Sequence, residues 1–352
     1  MTRARVRDLG ITIGDLPTGG FNAITDVPGV LVGHTTVIKD DPVVRTGVTM
    51  ITARDNQIWD DYAFCGWHRF NGFGELTGIP WVEESGLLGS AVGITNTNQV
   101  GLVRDTLVKY AVAAGHKEPF HLPVVSETDD GWLSDIDAFA VTEEDAHAAL
   151  VNAASGPVEE GNVGGGTGML CHEFKGGIGT SSRIVETDLG HYTVGVLVQA
   201  NYGERRHLRF DGMPVGRLIG IDKVPAAGDD DTEGSIIVVI ATDAPLIPTQ
   251  CQRLAQRATV GVARVGSIGR DGSGELFLAF ATGNSIPAGT AKLHRLEMLP
   301  HPLMNGMFEA TADATEEAVL NALCAAETMT GFKGRTAHAI PLDPVREMAA
   351  AR

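Results

Sequence analysis

The sequence predicts an α/β fold built as one layered body, and three observations carry that reading. Short apolar runs alternate with alanine-rich, helix-prone stretches almost from end to end. The run Ser235-Ile-Ile-Val-Val-Ile-Ala-Thr242 is β-branched and apolar throughout, the pattern of a strand buried on both faces. No Pro- or Ser-rich linker and no fixed-period repeat divides the 352 residues, so a single domain over 1–352 is expected.

Taken in order, residues 29–37 and 91–95 read as strands, and 103–114 as a helix with Leu107, Tyr110 and Val112 among its apolar residues. Residues 122–125 form a buried extended segment leading into Ser126-Glu127-Thr128. A helix over 143–154 is opened by Thr142 as its cap, with acidic residues in the first turn. Residues 192–200 alternate and then turn apolar, as a strand does. Beyond the run at Ser235, residues 248–265 read as a helix, 275–281 as a central strand and 313–330 as a long amphipathic helix.

Composition narrows the function classes. With 43% hydrophobic and 20% charged residues the chain is an ordinary globular one, not a disordered one. Its net charge of −17 repels phosphate backbones and anionic lipid, so nucleic acid and membrane are poor partners. The same acidity suits amine-bearing ligands, and solubility explains it equally well. Cys65, Cys171, Cys251 and Cys324 form no C-x-x-C pair, and no apolar stretch of signal-peptide or membrane-helix length occurs. A reduced, cytoplasmic protein is expected.

Most catalytic motifs are absent. His172-Glu173 begins an H-E-x-x-H pattern, but Gly176 stands where the second His belongs; no metal or other cofactor is expected. The glycine run in Asn162-Val-Gly-Gly-Gly-Thr-Gly168 is neither G-x-G-x-x-G nor a Walker loop, and Lys175 is followed by Gly176 rather than Ser or Thr. Backbone crowding near an active site explains that run better than a nucleotide does. No serine lies in G-x-S-x-G, and nothing in the sequence points to a Ser-His-Asp triad.

What remains is Gly234-Ser235. The preceding Gly228-Asp-Asp-Asp-Thr-Glu-Gly234 is polar and glycine-bounded, and composition alone reads it as a surface loop ahead of a core strand. A serine hydroxyl is a poor nucleophile without a neighbouring base. Scission before Ser235 would free an α-amine on the same residue, with an unperturbed pKa of about 8. Such an amine takes up the hydroxyl proton near neutral pH. Gly-Ser ahead of a strand is itself a common, nonspecific pairing.

The surroundings of that pair carry more. Asn22-Ala-Ile-Thr-Asp-Val-Pro-Gly-Val30, Val32-Gly-His-Thr35, Trp81-Val-Glu-Glu-Ser-Gly86, Thr95-Asn-Thr-Asn98 and Glu127-Thr-Asp-Asp-Gly131 come first. Glu160 to Gly168, Lys175-Gly-Gly-Ile-Gly179, Val198-Gln-Ala-Asn-Tyr-Gly203, Gly234-Ser-Ile-Ile-Val-Val239 and Gly272-Ser-Gly-Glu-Leu-Phe-Leu-Ala-Phe280 follow. In this order and over nearly the whole chain they resemble the L-aminopeptidase/D-esterase family, which includes the β-peptidyl aminopeptidases. The resemblance implies a four-layer αββα sandwich like that of N-terminal-nucleophile hydrolases, wired differently. It implies scission after Gly234 into paired chains 1–234 and 235–352, commonly assembled as a tetramer of such pairs.

By motif, Ser235 matches the family nucleophile, Ser273 and Glu275 the partners that relay and orient its proton, and Asn201 a side chain that helps hold the oxyanion. Ordinary turn and strand-start roles are the plain alternative for the last three. Asp129 occupies a position where some relatives carry Tyr; an ionised Asp only accepts hydrogen bonds, so pairing with a substrate ammonium is expected there, with loop capping as the alternative. The implied activity is release of N-terminal residues from small peptides, amides or esters through an acyl-enzyme. An endo-acting amidase, or acyl transfer from the same intermediate, is the competing reading.

Overall fold

A computed structural model describes residues 3–116, 118–228 and 234–351. The chain opens with β1 (Leu31–Asp40), β2 (Val43–Thr52) and β3 (Asp61–Gly72), followed by α1 (Ile79–Ser85), β4 (Leu87–Leu88), β5 (Val92–Thr95) and α2 (Val100–Ala114). Next come β6 (Val124–Glu127), α3 (Glu143–Val151), the short β7 (Leu170–Cys171) and β8 (Phe174–Lys175), then β9 (Gly177–Thr187), β10 (Gly190–Asn201) and α4 (Val215–Leu218). The last third contributes β11 (Ser235–Thr242), α5 (Pro248–Val265), β12 (Gly274–Pro287), α6 (Met304–Ala325), β13 (Met329–Thr330), β14 (Thr336–Ala337) and α7 (Leu342–Ala350).

Two sheets pack face to face. One has the order β1-β2-β5-β6 and the other β4-β3-β12-β11-β10-β9. Helices α2 and α3 cover the outer face of the first, α5 and α6 that of the second, which completes a four-layer αββα sandwich. The central strand shows why. Ile237, Val239 and Ala241 of β11 face the apolar layer between the sheets, while Ile236, Val238 and Ile240 face the helices. Period-2 alternation thus buries both faces, and every position from Ile236 to Thr242 is buried.

Strands β11 and β12 run parallel, and their connection passes through α5, because parallel neighbours require a crossover. Cys251, Leu254, Ala255, Ala258, Val262 and Val265 give α5 its buried stripe at helical spacing. Thr142 caps α3 as its sequence suggests: its hydroxyl accepts the Asp145 N–H at 3.3 Å, and Asp145 returns the bond to the Thr142 N–H at 2.9 Å.

The last long helix runs earlier than its sequence pattern, from Met304 rather than 313, and stops at Ala325, where Ala326 turns extended and leads into β13. From Ala310 to Cys324 this helix is buried all round, its charges held in pairs such as Arg183–Glu317 at 2.6 Å. Tertiary packing, not amphipathic periodicity, sets its length. Strand β9 escapes hydropathy altogether because it begins Gly-Ile-Gly-Thr-Ser-Ser. A Cβ on Gly179 would lie 2.0 Å from the Ala318 carbonyl oxygen, so glycine there lets α6 approach the sheet. Among the described residues no helix is long and apolar enough to cross a membrane, and all four cysteines are buried and free.

Candidate active site

The start of β11 lies in the middle of the six-stranded sheet, between the end of β10 and the start of β12. In the antiparallel register Ser235 stands opposite Asn201, and in the parallel one Ile236 stands opposite Glu275. These registers bring together three segments that are distant in sequence. The Ser235 hydroxyl oxygen accepts the Gly274 N–H at 3.0 Å, so one backbone donor already points at the nucleophile candidate. Of the acidic loop that leads to Ser235, residues 229–233 lie outside the described residues. Gly234 itself is pressed onto β10: a Cβ there would sit 2.0 Å from the Asn201 carbonyl oxygen and 2.7 Å from Tyr202 Cα.

Flanking Gly274, Ser273 and Glu275 are both buried and bonded to each other, Ser273 Oγ to Glu275 Oε2 at 2.8 Å. The other carboxylate oxygen accepts the Ser267 hydroxyl at 3.1 Å. Ser273 Oγ also accepts Asn71 Nδ2 at 3.1 Å and lies 2.8 Å from the Arg270 carbonyl oxygen. With a single hydroxyl proton and two acceptors in range, Ser273 can switch its donation between Glu275 and Arg270, as a relay requires. Burial holds the Glu275 carboxyl above the usual carboxylate range, against the opposing pull of the bonds from Ser273 and Ser267.

Asn201 is fixed at both ends of its amide. Its carbonyl oxygen accepts the Leu170 N–H at 2.7 Å, and Nδ2 donates to the Asp129 carbonyl oxygen at 3.0 Å. An amide nitrogen carries two protons, so one remains for a ligand. Leu170 is in turn held by Lys175, whose buried ammonium donates to the carbonyls of Met169 at 2.9 Å, Gly176 at 2.8 Å and Gly166 at 3.3 Å. Among the described residues no carboxylate lies against this lysine, and burial pushes its pKa down to about 7.

Asp129 reaches the site through its main chain. Its exposed side chain accepts the Gly131 N–H at 2.5 Å, the loop-capping arrangement that was the alternative for this residue. Nearby Glu127, at the end of β6, is buried and accepts the Glu75 N–H at 2.9 Å and the Thr97 hydroxyl. The His172 ring is buried against Tyr202, with Nδ1 2.9 Å from the Glu204 carbonyl oxygen.

Sequence reasoning named Ser235, Ser273, Glu275, Asn201 and Asp129; the first four converge on the adjoining ends of β10, β11 and β12, whereas Asp129 meets them only through its carbonyl on Asn201. It missed Asn71, Ser267, Leu170 and Lys175. Only Lys175 left a trace, as a charge inside an apolar, glycine-rich stretch.

Residues 22–337 match the peptidase family S58. The chain belongs to this family. It is 43% identical to a beta-peptidyl aminopeptidase of Sphingosinicella microcystinivorans, over 99% of this chain and 94% of that protein. Among solved structures, a Burkholderia sp. beta-aminopeptidase superposes with a TM-score of 0.92 at 47% identity, covering 99% of this chain and 98% of the other. The L-aminopeptidase D-Ala-esterase/amidase of Ochrobactrum anthropi, described as a variant of the Ntn hydrolase fold, gives 0.92 at 42% identity with the same coverage. Both support the four-layer architecture and the assignment as a serine peptidase of this family.

Proposed function

We propose that this S58 chain is an aminopeptidase and amidase that activates itself by scission between Gly234 and Ser235. The observation that carries the reading is Ser235 at the head of the central strand, its Oγ on the Gly274 N–H with the Ser273–Glu275 pair and Asn201 beside it. In the precursor, Ser235 Oγ attacks the Gly234 carbonyl carbon. Collapse breaks the Gly234–Ser235 amide, leaves Gly234 as an ester on Oγ and frees the Ser235 amine. Water then cleaves the ester, giving a Gly234 carboxylate and a new N-terminal serine. The pieces 1–234 and 235–352 stay paired because β11 remains hydrogen-bonded between β10 and β12.

In the mature enzyme the α-amine takes the Oγ proton as Oγ attacks a substrate carbonyl. Asn201 Nδ2 and the Gly274 N–H are the donors available to the oxyanion. Collapse expels the amine product, which leaves with the proton from the α-ammonium, and water releases the acyl group by the reverse sequence. Ser273 and Glu275 orient the ammonium and accept its charge through their shared hydrogen bond. Asp129 pairs with the ammonium of the substrate, so Asp129→Asn raises KM for free-amine substrates more than it lowers kcat; equal losses on N-blocked substrates count against that role.

Denaturing gels and intact masses of fresh wild type and Ser235→Ala test the whole reading. Two fragments meeting at Gly234/Ser235 in the wild type and one uncut, inactive chain in the variant are expected. A wild type active as one uncut chain overturns the N-terminal-nucleophile mechanism.

A further inference from the structure

Ser267 is a buried residue of the site that no sequence motif marks. It lies two residues beyond the end of α5, and its backbone is pinned there. The N–H groups of Gly266 and Ser267 both donate to the Val262 carbonyl, at 3.1 and 3.0 Å. Together with Gly234, Ser273 and Glu275 it lines a recess of about 20 Å³, which places it beside both the residue ahead of the nucleophile and the carboxylate.

Hydrogen-bond counting gives Ser267 a single task. Its Oγ accepts the Gly269 N–H at 3.2 Å, and among the described residues Glu275 Oε1, at 3.1 Å, is the acceptor for its one proton. Ser273 differs, because its proton has two acceptors. Glu275 Oε2 and the Arg270 carbonyl oxygen both lie 2.8 Å from its Oγ, which itself accepts from Asn71. Only the bond to Oε2 couples Ser273 to the carboxylate. The terminal torsion of a glutamate is soft, so Oε2 stays on Ser273 only while Oε1 is held.

We infer that Ser267 is a positioning residue: by holding Oε1 it keeps Oε2 on Ser273 and directs the Ser273 proton toward Glu275 rather than toward Arg270. This rests on the aminopeptidase reading above and adds to it a residue that acts through Glu275. The Ser267 hydroxyl also favours the ionised carboxyl, against the burial that raises its pKa. The other titratable side chains on the recess are Tyr202, Glu204, His207 and Arg270. Glu204 pairs with Arg270, and among the described residues none of the four bonds to Glu275. Scission adds the α-amine of Ser235 to this set.

The test uses processed wild type, Ser267→Ala and Ser267→Thr on one free-amine dipeptide, with kcat/KM followed from alkaline to acidic pH. Protonation of the α-amine gives a first fall, and protonation of Glu275 a second, steeper one. Ser267→Ala should lower kcat about tenfold, the scale of one hydrogen bond to a charged group. KM should change little, and the second fall should move to higher pH. Ser267→Thr, which keeps the hydroxyl, returns both quantities toward wild type. Wild-type rates in Ser267→Ala, or a loss equal at every pH with the second fall unmoved, overturn the inference. Processed wild type that cleaves no free-amine peptide overturns the aminopeptidase reading instead, so the two failures are distinguishable.

Discussion

Asn201 and Ser235 face each other across the antiparallel pair β10–β11, each the residue at which its strand meets the catalytic edge. The Asn201 amide is oriented by two backbone groups, the Leu170 N–H and the Asp129 carbonyl, so its remaining proton has a set direction before substrate arrives. Asn201→Ala should lower kcat on the order of 10²- to 10³-fold, with KM changed far less. Steady-state kinetics of the processed variant check this, and a loss confined to KM would remove Asn201 from the oxyanion site.

Gly234 has no room for a side chain, since a Cβ would meet the Asn201 carbonyl oxygen at 2.0 Å. Gly234→Ala must shift the scissile peptide relative to Ser235 Oγ. Processing should slow at least tenfold relative to wild type, a modest loss for an attack geometry in which misplacement by about 1 Å costs on the order of 100-fold. A time course of intact mass after synthesis reads it directly. Scission at the wild-type rate would show that the precursor attacks from a different backbone arrangement.

Glu275 is held protonated to higher pH than an ordinary carboxyl by burial. If its ionised form supports the Ser235 ammonium, activity falls as pH drops through a point above the usual carboxylate range. Glu275→Gln should lower kcat and remove the contribution of this carboxyl to the acidic limb, leaving the loss set by protonation of the α-amine, which must be neutral to take the Oγ proton. An unchanged acidic limb assigns it to another group.

Lys175 holds three carbonyls next to the Asn201 anchor. Lys175→Met leaves those oxygens without a partner, at about 1–3 kcal/mol for each buried group, partly offset by removal of a buried amine. The folded lysine has its pKa lowered to about 7, below the unfolded value, so proton uptake favours the unfolded chain at lower pH. Wild-type stability should therefore rise with pH above about 7 and this slope should flatten in Lys175→Met. Thermal melts of both proteins between neutral and alkaline pH measure the difference. Parallel melting curves would show that the lysine stays charged in the fold.

By itself the sequence determined the central strand, the glycine–serine junction at its head, the α5 crossover and the capped α3, because each is written in local periodicity or in cap chemistry. Ser235–Thr242 and Pro248–Val265 are legible to the residue for that reason. Resemblance of ordered motifs added the candidate roles of Ser273, Glu275 and Asn201, which no local pattern distinguishes from turns and strand ends.

Only the tertiary structure decided how those residues meet. Asn201 and Asp129 are 72 positions apart and Gly274 and Ser235 39 apart, yet single hydrogen bonds join them. Such bonds follow from strand register, and register is set by sheet-wide burial rather than by either partner's own neighbours. Lys175 is a more local case: its charge is tolerated in the core because the carbonyls of Gly166, Met169 and Gly176, the farthest nine positions away, close around it.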